Sequence, residues 1–370
     1  MKSIIFTALV IAFLKPVAAQ EKYFNVLLKD TALLELAKKG EYPNPVLEIS
    51  LKKEKVRTSS HPYPIRVAID PGHSATSFNE AVIEERFIKT KKGSFYESQL
   101  TMATALHLKS LLKQAGFEVM LTREEGQTAI GKTFSQWYKK DFKKELNADL
   151  KAGKISREKF EELKRADKHD VFHKYFKDKE FWARANKINA FNPDATLIIH
   201  YNASEFKNTP KVFCPTVDYN YSVAFVAGGF TTQEMSMENQ MEDFIRLATS
   251  DELERSITLS SLIVNEFQAK LNSPLLEPKK YQDLWYLKKY ATNTEKEGVF
   301  GRNLAMTRII KSPLCYGESL LQNNEVEIQK LLKKDFKIGK IKTSSRVCDV
   351  ADCYYTGTLK YFDTLGWLRH

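Results

Sequence analysis

Arg66-Val67-Ala68-Ile69-Asp70-Pro71-Gly72-His73 is the stretch on which the fold of this chain turns. It follows a Lys- and Pro-rich connector ending in His61-Pro62-Tyr63-Pro64, and its apolar run begins abruptly. The run is predicted to be a strand. Pro71-Gly72 stops it, since proline offers no N–H to a ladder and glycine permits a sharp turn. His73 is thereby presented at the edge of a sheet.

Downstream, helix and strand signals alternate. From Glu97 onward, Leu100, Thr104, Leu108, Leu111 and Ala115 recur at helical spacing, and Gly116 is the stop. Residues 117–122 are a second strand. Residues 131–180 change character: they are dense in Lys, Glu and Asp, with Phe, Leu and Trp at helical spacing, as in a helical hairpin outside a domain. A core helix resumes over 182–190, Asn192-Pro193 breaks it, and Thr196-Leu197-Ile198-Ile199-His200 is a very apolar strand. Residues 221–227 are another strand, 235–272 two helices of which the first is acidic, 273–300 irregular, and 312–318 the last core strand. This alternation predicts an α/β fold, a mixed and mostly parallel sheet with helices on both faces, plus the charged helical insertion at about 131–180. Neither internal repeats nor low-complexity tracts interrupt it.

Upstream, residues 1–19 have the layout of a secretory signal peptide. Lys2 precedes an apolar run from Ile4 to Leu14, too short to span a bilayer, and Val17 and Ala19 are the small residues before a cleavage near Ala19. No cysteine follows to take a lipid, and no later segment is long and apolar enough to cross a membrane. The expected location is periplasmic or secreted. Residues 20–64 read as a lead-in, with a short helix over 31–39, and 65–370 as the main domain. A formal charge of +11, of which Lys2 and Lys15 leave with the signal, suits a polyanionic envelope. Export and the lack of a nucleic-acid motif argue against nucleic acid. The 43% apolar content, with 23 Phe and 16 Tyr, fills a sizeable core. In an oxidising compartment the four cysteines are candidates for disulfides. Cys348 and Cys353 are near enough to close a small loop, unless one helix carries both and holds them apart. Cys214 and Cys315 lie in expected strands.

Three features carry chemistry, each where a strand is expected to end and side chains converge. They are His73 after Pro-Gly, His200 in Ile199-His200-Tyr201-Asn202-Ala203, and Glu318 in Tyr316-Gly317-Glu318. Taken singly, each has a plain explanation: a turn histidine, a satisfied core histidine, a surface glutamate. Together, two histidines and a carboxylate with an open position suit a catalytic zinc ion. Periodicity alone does not bring them together.

Over residues 66–365 the chain resembles the zinc-dependent N-acetylmuramoyl-L-alanine amidases of cell division and sporulation. Val67 to His73 is similar to the family's "IDPGH" run. Glu97, its helix, and Gly116-Phe117-Glu118-Val119-Met120-Leu121-Thr122-Arg123 are similar to its glutamate, helix and "LTR" pattern. Arg184-Ala185-Asn186-Lys187-Ile188-Asn189 with Asp194, then Ile199 to Ala203, follow in order. Pro313-Leu314-Cys315-Tyr316-Gly317-Glu318 with Asn323-Asn324-Glu325 resembles the strand of the catalytic glutamate and its tail, and residues 350–362 the closing helix.

The resemblance implies a Zn2+ ion held by His73, Glu97 and His200, with Glu318 as general base. It implies hydrolysis of the amide joining the lactyl group of N-acetylmuramic acid to L-alanine in peptidoglycan, and, for some relatives, an activator protein that displaces a blocking helix. The acidic stretch 234–254 stands near that position, although a solvated helix face explains it as well. Glu97 has a competing role, because Ser94-Phe95-Tyr96-Glu97 is also a capping box. Glu84 or Glu85 is then the substitute ligand, as the spacing from His73 to Glu97 is long for the family. His169-Asp170-Val171-Phe172-His173 offers two histidines on one helical face, but its charged surroundings suit a surface helix. His61 and His107 read as surface or packing residues. Two other functions share the residues: a catalytically silent wall-binding relative, and a zinc peptidase acting within the stem peptide.

Overall fold

The computed structural model describes residues 23–24, 64–204, 216–231, 234, 237–277, 284, 287, 291–339 and 341–368. The signal peptide, the helix expected at 31–39, His61, Cys214 and His370 lie outside them. After β1 (Arg66–Pro71) come a hairpin of β2 (Phe87–Thr90) and β3 (Gly93–Tyr96), then β4 (Glu118–Leu121), β5 (Ala195–Asn202) and β6 (Val223–Val226). The strands β7 (Ala291–Asn293), β8 (Val299–Arg302) and β9 (Leu314–Leu321) follow, and β10 (Phe336–Ile338) and β11 (Ile341–Thr343) form a small hairpin.

Seven of these strands form one sheet in the order β4-β1-β5-β9-β6-β8-β7. The four strands β4, β1, β5 and β9 are mutually parallel; β9 meets β6 antiparallel, β6 meets β8 parallel, and β7 closes the edge antiparallel. The sheet is therefore mixed and mostly parallel, as expected.

The helices are α1 (Phe78–Glu84), α2 (Glu97–Gln114), α3 (Phe134–Lys140), α4 (Phe142–Lys151), α5 (Arg157–Arg165), α6 (Lys168–Val171) with a π turn over Phe172–Phe176, and α7 (Lys177–Phe191). Beyond β6 come α8 (Glu238–Thr249), α9 (Glu252–Leu271), α10 (Ala305–Ile309), α11 (Glu325–Leu331) and α12 (Ser345–Thr364). No helix among the described residues is long and apolar enough to cross a membrane.

Strand side chains alternate between two faces. Val67, Ile69, Leu197, Ile199 and Tyr201 pack against Leu108 of α2, Ile263 and Phe267 of α9, and Tyr354 and Phe362 of α12. Ala68, Ile198 and Leu314 pack against Ala185 and Ile188 of α7 and Met306 and Ile309 of α10. Both faces are covered, which is why Leu197-Ile198-Ile199 is apolar without alternation. Burying each such side chain is worth roughly 1.5–3 kcal/mol.

Three local expectations differ from the fold, and one segment with no assigned element acquires structure. The insertion is not a two-helix hairpin but four short helices and a π turn, because Thr133, Ser156 and Asp167 each cap a new start. It buries its own cluster of Phe134, Trp137, Phe142, Phe160, Phe172 and Phe176. The stretch 273–300 contributes the short edge strand β7 and the start of β8, which lies between β7 and β6. The long gap between His73 and Glu97 is filled by α1 and the β2–β3 hairpin, which its polar composition concealed. Finally, β9 does not stop at Glu318 but runs on to Leu321, with a register shift between the two. Cys348 and Cys353 sit together on α12 as free thiols, and Cys315 is buried and free in β9.

Candidate metal centre and active site

The loop after β1 is built around one close approach. A side chain at Gly72 would overlap the His200 imidazole and lie 2.6 Å from the Ile199 carbonyl oxygen, so only glycine lets His200 lie against this backbone. The Gly72 N–H continues the ladder to Ile199 O at 3.0 Å. His73 then takes left-handed backbone at φ 60, a conformation that strains a non-glycine residue and that its surroundings must hold.

Two buried arginines do so. Arg184 of α7 donates to Asp70, to the Pro71 carbonyl at 2.9 Å and to the His73 carbonyl, while Glu180 accepts from its other edge at 3.0 and 3.2 Å. Arg123, just beyond β4, donates to the carbonyls of Pro71, Gly72 and Ser98. Thr122 donates to Asp70, and Thr101 to Gly72 O at 2.7 Å. Each guanidinium satisfies several carbonyls that leave the ladder at the strand end.

This frame brings His73, Glu97 and His200 together, with one ligand-type atom from each within 4.8 Å of the others. His73 Nε2 lies 3.0 Å from Glu97 Oε2, and His200 Nδ1 lies 3.0 Å from Glu97 Oε1. The two imidazoles meet edge to face, centroids 4.8 Å apart. Tyr201 N–H and the Gln322 side-chain amide also donate to Glu97, at 3.1 and 2.9 Å. Behind His73, Glu84 accepts from Nδ1 at 3.2 Å and from the backbone N–H groups of Ser74 and Ala75.

Charge follows from these contacts. Burial opposes a charge on His73, but Glu97 and Glu84 prevail and lift its pKa to about 9. Burial likewise opposes the Glu84 carboxylate, yet His73 and the Ala75 N–H hold it at about 2. Glu97 is held well below the usual carboxylate range against burial, by His73 and His200. Burial lowers His200.

Glu318 is the contrast. It lies beside His200 across the β5–β9 seam, and burial, followed by repulsion from Glu97, pushes it up to about 8. Its Oε2 is buried without a hydrogen-bond partner. Two residues earlier on β9, Tyr316 stacks on His200 at 4.4 Å and 8°. Two imidazoles and a carboxylate converging beside an unpartnered carboxylate oxygen fit a divalent cation with a reactive water position.

The capping alternative for Glu97 does not hold. Ser94 is in β3, the α2 N-cap is Tyr96 without a side-chain cap bond, and the Glu97 carboxylate is spent on the two histidines. Neither substitute stands in its place: Glu84 backs His73, and Glu85 turns away to His169, 2.9 Å from its Nε2. The buried arginines and Gln322 were not foreseen as site residues, and Glu84, expected only as a substitute ligand, instead orients His73. Arg123 and Arg184 lay within the quoted motifs, and only the loop they grip reveals their work.

A family model described as N-acetylmuramoyl-L-alanine amidase matches residues 67–344. Among solved structures, the CwlD amidase from Clostridioides difficile, in complex with the GerS lipoprotein, is similar at 16% identity and a TM-score of 0.44, covering 81% of this chain and 100% of that one. Ami1 from Mycobacterium smegmatis, an N-acetylmuramyl-L-alanine amidase, is similar at 13% and 0.43, covering 82% and 100%. AmiC2 of Nostoc punctiforme, an N-acetylmuramoyl-L-alanine amidase, stands at 12% and 0.42, covering 82% and 99%. No curated protein sequence matches. By the extent of the match over residues 67–344, this chain belongs to the N-acetylmuramoyl-L-alanine amidase family.

Proposed function

We propose that the chain is a zinc-dependent amidase that hydrolyses the amide between the lactyl group of N-acetylmuramic acid and the L-alanine of the peptidoglycan stem peptide. The observation that carries this reading is the unpartnered, buried Oε2 of Glu318 beside the His73–Glu97–His200 cluster. His73, Glu97 and His200 are the zinc ligands in this reading. Bound zinc supplies acidification of a water molecule and polarisation of the scissile carbonyl.

The protein's own residues do the rest. Glu84 keeps the Nδ1 proton of His73, so that Nε2 carries the lone pair. Tyr201 N–H and Gln322 hold the Glu97 carboxylate in place. Glu318, in its carboxylate form, takes a proton from the attacking water at Oε2. It returns that proton to the alanine nitrogen as the C–N bond breaks, leaving a lactyl carboxylate and a free amine. Residues 1–19 act as an export signal, 20–64 as a lead-in and 65–370 as the catalytic domain, which works in the periplasm or outside the cell.

The test is to incubate the purified chain with peptidoglycan, with and without chelator, and identify the fragments. Chelator-sensitive release of intact stem peptides with a free L-alanine amine is expected. Cleavage between amino acids would make it a peptidase instead, and zinc binding without product a silent wall-binding relative.

A further inference from the structure

The insertion carries a second convergence of ligand-type side chains, away from the site above. His169 on α6 and His173 in the π turn are four residues apart, so their rings share one face, with centroids 4.5 Å apart. A π turn inserts a residue into the helical register and re-aims what it carries. Facing the pair is Glu85, which ends α1 in left-handed backbone at φ 58. Its Oε1 lies 2.9 Å from His169 Nε2. One nitrogen of each histidine and one Glu85 oxygen lie within 4.8 Å of one another, as in the His73–Glu97–His200 cluster.

The details are those of a metal site more than of a surface ion pair. A single histidine satisfies a single carboxylate; the second histidine adds nothing to such a pair but completes a three-donor set. His173 Nε2 is 3.0 Å from the Ile83 carbonyl, which takes its proton and leaves the lone pair on Nδ1. Backbone carbonyls fix the tautomer of metal-binding histidines in this way. Lys174, on the same turn, is engaged by Asp170 and Glu162 at 2.9 and 3.0 Å, which offsets its charge. All three donors are half-buried, open enough for an ion to enter and for water to complete its shell.

We propose that Glu85, His169 and His173 form a second divalent transition-metal site, of the zinc class, that clasps the helical insertion to α1. Two imidazoles and one carboxylate favour such ions over Mg2+ or Ca2+, which take mostly oxygen ligands. The clasp adjoins the first site: Glu85 follows Glu84, the residue that backs His73. The proposal does not depend on the reaction assigned above.

The experiment compares three forms of the full chain: unaltered, His169→Ala/His173→Ala, and His73→Ala/His200→Ala. Each is equilibrated with Zn2+ or Co2+ and freed of excess. Metal content is then measured by mass spectrometry, Co2+ ligation by visible absorption, and folding by circular dichroism. The unaltered chain should hold two zinc ions. The His169→Ala/His173→Ala variant should hold one, with affinity at the second position weakened by more than roughly 100-fold, since even outer-shell changes cost roughly 10–100-fold. It changes half-buried side chains outside the insertion's aromatic core, so it should keep its circular dichroism spectrum. The His73→Ala/His200→Ala variant should still bind one Co2+ with an imidazole-type spectrum. Equal metal content in the unaltered chain and the His169→Ala/His173→Ala variant overturns the proposal, whatever the enzyme activity proves to be. Should the His73→Ala/His200→Ala variant fail to fold, that comparison decides the matter alone.

Discussion

Glu318 and His200 are register partners across the parallel β5–β9 seam, so their side chains leave the sheet on the same face. Neighbouring strands are only about 4.8 Å apart. The sheet itself therefore sets the distance between the carboxylate and one histidine of the cluster, with no loop involved. Replacing Glu318 by Gln keeps shape and volume but removes the proton acceptor. Turnover on peptidoglycan should fall roughly 10²–10⁴-fold, the usual share of general acid–base catalysis. Zinc content by mass spectrometry should be unchanged. Activity near the parent's would remove Glu318 from its role.

The close approach at Gly72 gives a second expectation. In Gly72→Ala the new methyl overlaps the His200 ring and crowds the Ile199 carbonyl, which cannot move without disturbing the β1–β5 ladder. Overpacking of this kind costs roughly 1–3 kcal/mol. A lower melting temperature together with weakened metal retention is expected. A variant with full stability and full metal content would show that the loop yields more easily than its contacts imply.

The parts of this protein that were legible in advance are those where local chemistry and tertiary need agree. Val67 to Pro71 and Thr196 to His200 are buried on both faces, and their apolar runs say so. The Gly116 stop, at φ 87, is equally plain. What escaped was decided at a distance. Arg184 looks like any helix residue until Asp70, Pro71 and His73 are seen to end in its guanidinium. Glu84 and Glu85 are adjacent and chemically alike, yet α1 ends between them and sends one to His73 and the other to His169. The register of β9, which places Glu318 inside a strand, depends on its pairing with β5, and no local signal carries it.

Glu84 touches the first cluster only through His73, so its effect should be graded. Glu84→Gln loses the charge that complements the Nδ1–H of His73 while keeping the backbone N–H bonds possible. Loss of such an orienting carboxylate typically weakens metal affinity roughly 10–100-fold. Titration with a competing chelator should show that weakening, while activity recovers at saturating zinc. A drop in turnover that excess zinc does not restore would mean that Glu84 has a further part in the reaction.

Cys315 should be chemically silent despite being a free thiol. Burial pushes it up to about 12, and it has no exposed surface. The reactive thiolate is thus scarce at pH 8, where an ordinary cysteine with a pKa near 8.5 reacts readily. Native alkylation followed by peptide mass spectrometry should leave Cys315 unmodified until denaturant is added. Rapid native labelling would mean that the β9 layer opens far more often than its packing suggests.

Arg184 is the most demanding position, because one side chain serves three parts of the loop and Glu180 at once. Lysine keeps the charge but has no planar fork, so Arg184→Lys cannot reach the Pro71 and His73 carbonyls together with Glu180. Asp70 and Glu180 would stay buried with a poorer partner, and breaking one side of a buried charge cluster costs roughly 3–5 kcal/mol. The retained charge should soften this to about 2–3 kcal/mol. The strained backbone of His73 would lose its anchor at the same time. Chemical denaturation should therefore show a large loss of stability, and metal affinity should fall with it. If stability falls but metal affinity does not, the loop is held at His73 by Glu84 and the Ser74–Ala75 amides rather than by the guanidinium.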